Sequence, residues 1–67
     1  MALKTKIECI KTYCGEAEYK IKEIKKEMED FDGYNSLEFM EMKIDRAIED
    51  LTIAKENIMK AYDEIEE

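Results

Sequence analysis

Apolar residues recur along the first half of the chain as Leu3, Ile7, Ile10, Cys14, Ala17, Ile21, Ile24, Met28 and Phe31, in steps of four and three without a break. Such steps lay one stripe along a helix, the heptad pattern of a helix that packs along a seam. A second series follows the same rule through Leu37, Met40, Ile44, Ala47, Leu51, Ala54, Ile58, Ala61 and Ile65. The pattern predicts an all-α fold of two long helices, over about residues 2–31 and 36–65. The residues between them read Asp32-Gly33-Tyr34-Asn35-Ser36. Gly33 suits the left-handed position just past a helix end. Asn35, with Glu38 three residues on, predicts a capping box for the second helix, and Tyr34 and Phe39 take the positions of a hydrophobic staple. A connection this short turns the helices antiparallel. Residues 1–67 thus read as a single helical-hairpin domain.

The register follows from setting Phe31 opposite Leu37. Ile24 then faces Ile44, Ala17 faces Leu51, Cys14 faces Ala54 and Leu3 faces Ile65, so every seam layer is apolar on both sides. One flank of the same register pairs Lys6 with Glu64, Lys20 with Asp50 and Glu27 with Lys43, leaving Tyr13 beside Asn57. Exposed pairs contribute only about 0–1 kcal/mol each, so they select register more than they stabilise. The other flank sets Lys25 against Glu41, Glu18 against Ile48, Lys11 against Lys55 and Lys4 against Tyr62, and only the first is complementary. There Ile48, Met59 and Tyr62 widen the apolar face of the second helix, while Gly15 costs about 1 kcal/mol relative to Ala in the first. Two helices meet in one layer and enclose no core. The expected remedy is a homodimer of hairpins, a four-helix bundle with Gly15, Ile48, Met59 and Tyr62 near the interface. Cys14 and Ala54, the one layer of two small side chains, mark an expected waist.

Composition narrows the chemistry. The chain has 67 residues with no His, no Pro, two Cys and 43 % charged residues, and its net charge is −7. Without His the common zinc, haem and proton-shuttle sites lose their usual ligand or base. Two Cys supply neither a structural zinc site nor a disulfide framework. Cys9 and Cys14, five apart on a helix, point to different faces, so reduced thiols in a cytoplasmic protein are expected. Cys14 reads as a small core residue, and Cys9 lies off the seam near Lys6. The first residues, Met1-Ala2-Leu3-Lys4-Thr5-Lys6, contain no secretory-signal-like apolar stretch, and no run suits a membrane span. No carboxylate falls on a seam position. The numerous acids therefore read as a solvated face, with no metal, no cofactor and no catalytic constellation expected.

Charge is divided unevenly. Residues 1–31 balance seven Lys against seven acids, so the whole −7 belongs to residues 32–67. The expected function is a non-catalytic protein–protein interaction or structural module, with itself as first partner and another protein as second. Tyr34, Phe39 and Met42 form the candidate patch for that second partner near the loop. Nucleic acid and membrane are not expected partners. Two alternatives stand beside this reading. The Lys residues of the first helix suggest an RNA-binding hairpin, although Glu8, Glu18, Glu23 and Glu29 interrupt them and phosphate binding rests on unopposed basic charge. The stretch Glu41-Met42-Lys43-Ile44-Asp45 resembles the Ser-Gln-Glu-Leu-Asp signature of the small sporulation aspartyl-phosphate phosphatases, which are also helical hairpins. Ile44 and Asp45 correspond and the Ser is absent, over about ten residues of similarity. The resemblance implies a role for Asp45 in dephosphorylating response regulators.

Overall fold

The computed structural model describes residues 2–66, with side chains from Leu3 to Ile65. Met1 and Glu67 lie outside the described residues. Two helices account for nearly all of it: α1, Ala2–Glu29, and α2, Gly33–Glu66. At about 1.5 Å per residue the longer helix spans roughly 50 Å, in line with a molecule whose Cα atoms extend 52 × 14 × 11 Å. The helices lie side by side along their length as an antiparallel hairpin.

The turn is tighter than the sequence suggests. α1 ends at Glu29, its last turn closed by the Asp30 amide donating to the Lys26 carbonyl at 3.3 Å. α2 begins at Gly33, which adopts φ 57°, the left-handed conformation expected of it. Asn35, expected as the cap of a helix starting at 36, lies within the first turn of α2 instead, and the side chain that ties the turn is Ser36. It is fully buried, its hydroxyl accepts the Asp32 amide at 2.6 Å, and it donates to Glu27 Oε2 at 2.6 Å. One side chain therefore ties the turn, the start of α2 and the end of α1 together. Replacing it by Ala leaves the Asp32 amide and the Glu27 carboxylate without this partner, at a cost of about 1–2 kcal/mol. Ser36→Ala is expected to lower the urea midpoint in proportion to that loss, and an unchanged midpoint would show that water replaces the clasp fully.

Packing between the helices departs from the expected seam in one respect. With Ile7 and Leu37 at heptad position a, and Leu3 and Met40 at d, the inward side consists of d residues and of the g residues beside them. Ala17, Ile24, Ala47 and Ala54 are buried, and Leu3, Ile10, Met40 and Ala61 are half-buried. The seam register puts every a residue inside as well. Instead Ile7, Cys14, Ile21, Met28, Leu37, Ile44, Leu51, Ile58 and Ile65 are all exposed, as is Phe31. The cause is side-chain size. Ala at 17, 47, 54 and 61 lets the helices settle onto their small d positions, and the larger a residues are left on the outer side of the contact. Cys14 is thus not part of the hairpin's interior, and Ala54 is buried without it.

Ion pairs close the g side. Lys6 meets Glu64 at 3.1 Å and Lys20 meets Asp50 at 2.6 Å, both in the expected register. The hydrogen bond that Lys20 donates to Asp50 holds its ammonium pKa above the ordinary value. Lys43 pairs with Glu23 at 3.1 Å in place of Glu27, because Ser36 has taken the Glu27 carboxylate. Asn57, expected beside Tyr13, donates to the Ile53 carbonyl of its own helix at 2.9 Å.

Candidate interaction surfaces

Because the d and g residues turn inward, the a and e residues of both helices share the opposite, outward side. The a residues supply a continuous apolar stripe from Ile7 and Ile65 at one end to Met28 and Leu37 at the other. Their exposure is large for residues of this type, 53 % at Ile7 and 47 % at Leu51. Two of the e residues of α2, Ile48 and Tyr62, extend the stripe on its α2 side, and Met59 stands three residues from Tyr62. All three expected interface side chains are therefore exposed and border one face. Gly15 is exposed too, and a Cβ added there meets no atom within 4 Å. Nothing within the hairpin requires a glycine at that position.

The three residues of the loop-end patch are not all neighbours. Tyr34 is 75 % exposed at the start of α2, whereas Phe39, five residues later, has turned about 140° around the helix. Phe39 is half-buried, with the Lys43 ammonium 5.3 Å from its ring centroid. Met42 lies one turn beyond Phe39 on a neighbouring strip of surface, partly exposed. Phe39 instead joins Tyr19, Lys22, Glu23, Lys26, Glu27 and Asp30 along an open groove of about 450 Å³. Tyr19 and Phe39 both lie off the two seam series, and helical spacing alone does not join them. In the heptad register Tyr19 is at f and Phe39 at c, positions that flank the g rows of facing helices. The groove's charges are already engaged in part, Glu23 with Lys43 and Glu27 with Ser36, and it holds two ammonium groups among three carboxylates. That mixture favours no one class of ligand.

Asp45, to which the phosphatase resemblance assigns a role, is exposed on α2. Cys9 is half-buried and Cys14 exposed, and both are free thiols. Among the described residues no group of three or more Cys, Asp or Glu side chains is placed to hold a metal ion. No described helix is long and apolar enough to cross a membrane. No family model, curated protein or solved structure matches the chain. What the fold defines is a class: an antiparallel helical hairpin with one side closed by ion pairs and the other open and apolar.

Proposed function

We propose that the protein is a non-catalytic interaction or structural module that acts as a homodimer of helical hairpins. In this reading the outward stripes of two copies meet and form the core of a four-helix bundle. The carrying observation is the uncovered stripe itself, nine a residues contributed by both helices and running the length of the molecule. A contiguous apolar surface of this extent marks an interface, whereas scattered exposed apolar residues do not. Its size suits a second copy. A face of 52 × 14 Å offers roughly 700 Å², close to the ~800 Å² per partner of a stable complex. The pattern is also self-complementary, since the residues that complete a heptad core are d from one's own hairpin and a from both. Gly15 fits the same reading, because a glycine unexplained within the chain leaves room for a closely packed neighbour. Assembled in this way, the module keeps the acidic outer surface of α2 and the loop end free for a further protein. A cytoplasmic setting would keep both cysteines reduced.

Light scattering after size exclusion tests the proposal at micromolar concentration. The expected mass is twice the 8.0 kDa of the chain. A monomer with full helical circular dichroism at that concentration would overturn it.

A further inference from the structure

We infer that the loop end of the hairpin is a docking site for a basic segment of another protein, one in which Lys or Arg side chains flank an apolar anchor. Such a role rests on the module proposed above, in which the loop end stays uncovered, and it gives the second partner a definite chemistry. The path of the chain through the turn is accounted for by Gly33 in its left-handed conformation, the Asp30 amide on the Lys26 carbonyl, and the Ser36 hydroxyl between Asp32 and Glu27. Phe31 and Tyr34 take no part in these bonds, and both are more than half exposed. Phe31 follows Met28, the last a residue of α1, by three positions, and Tyr34 precedes Leu37, the first of α2, by three. They stand past both ends of the row that a second copy would cover. Phe39 gives Tyr34 no cover, since it lines the groove beside Tyr19. Aromatic rings held on a fixed turn suit an interface, because they bring a large contact area with few torsions left to freeze.

Charge selects what meets these rings. From Glu27 to Glu41 the chain carries six carboxylates and no Lys or Arg. Glu27 is engaged by the Ser36 hydroxyl. The other five, Glu29, Asp30, Asp32, Glu38 and Glu41, are exposed, and among the described residues none of them is in an ion pair. Asp30 and Asp32 are the immediate neighbours of Phe31, and Glu38 stands one turn beyond Tyr34. Glu29 and Asp30 also lie at the carbonyl end of α1, where the helix dipole disfavours negative charge and only Lys26 opposes them.

Exposed rings set among unpaired carboxylates repel nucleic acid and anionic membranes. The same surface attracts cationic side chains, which feel its charges within the ~8 Å that physiological salt allows. Lys and Arg also rest favourably on aromatic faces, as Lys43 does over Phe39 at 5.3 Å. A basic segment with an apolar anchor therefore meets both features at once, the anchor against Phe31 and Tyr34 and the cations against the carboxylates around them.

A synthetic peptide with one Trp and several Leu among Lys residues at helical spacing tests the site, and the same peptide with Glu for Lys is the comparison. The chain has no Trp, so the peptide supplies the only indole in the mixture. Titration of the full chain is expected to move the Trp emission to shorter wavelength and to saturate at one Lys peptide per chain, while the Glu peptide gives no shift. Tyr34→Ser is expected to weaken binding roughly tenfold or more. Glu29→Lys combined with Asp30→Lys is expected to weaken it by roughly as much, yet to raise the urea midpoint, because the change suits the dipole of α1. Loss of fold cannot produce that pair of results. Glu56→Gln, an exposed acid far from the loop, is expected to leave the affinity within about twofold. Absence of saturable binding overturns the site. So does binding that Tyr34→Ser and the paired Lys substitutions leave unchanged, since the peptide then sits on the apolar stripe or on the outer surface of α2. Light scattering of the free protein reads the dimer separately: a monomer that binds at the loop end overturns the dimer alone, and a dimer without this binding overturns the site alone.

Discussion

Leu51→Asp is expected to convert the proposed dimer to a monomer and to reduce helical content with it. Leu51 sits at an a position near the middle of α2 and is about half exposed in the single hairpin. Were the hairpin the whole functional unit, an Asp there would be one more carboxylate on an acidic surface, worth within about ±0.5 kcal/mol. In the proposed bundle the same side chain would lie in the core, and two-fold symmetry would introduce it twice. An unpaired carboxylate in apolar surroundings costs several kcal/mol. At about 3 kcal/mol per copy, the dissociation constant rises by roughly four orders of magnitude. Helical content follows because a single layer of contact, with four buried apolar residues, leaves little apolar surface removed from water. Light scattering reads the first effect and circular dichroism at 222 nm the second. Glu49→Ala, on the outer surface of α2, is the control expected to change neither. A Leu51→Asp protein that remains dimeric and equally stable would show that the stripe is not the interface.

Ala54→Leu is expected to destabilise the hairpin from the inside. Ala54 is 3 % exposed and Ala17 is 2 % exposed, so both are sealed at the contact between helices. An isobutyl side chain at 54 has no space to enter, and it must push the helices apart or take a strained rotamer. Overpacking of this kind typically costs about 1–3 kcal/mol. Separation would also loosen the Lys20–Asp50 pair, whose 2.6 Å contact depends on the same close approach. A fall in the urea midpoint is the expected readout. The opposite result, a rise in stability from added apolar surface, would mean that position 54 faces open space, as Leu51 does in the single chain. The two substitutions thus probe neighbouring stripes on one helix, and the physical cause differs: a charge placed in the proposed bundle core at 51, excess volume at 54.

Much of this arrangement is legible in residue order alone. Two unbroken heptad series, a short connection and the left-handed glycine at 33 suffice to define two antiparallel helices. Charge complementarity on one flank was enough to place Lys6 at Glu64 and Lys20 at Asp50. The turn was read less well. The spacing of Asn35 and Glu38 points to a cap at 35, whereas α2 begins at Gly33 and the tie is made by Ser36 through the Glu27 carboxylate, which only the returning helix brings within reach. The candidate surfaces divide in the same way. Ile48, Met59 and Tyr62 could be assigned to one side because helical spacing is local, whereas Tyr19 and Phe39 share a groove through contacts between helices.

What residue order determined, then, is that each helix carries two adjacent apolar rows, and which residues belong to each. It did not determine which row meets the other helix, since a hairpin closed on itself and a hairpin that is half of a bundle share one heptad pattern. The tertiary structure made that choice through volume. The alanines at 17, 47, 54 and 61 let the d rows close together with the g ion pairs, and the bulkier a row is left facing outward, toward the partner we propose.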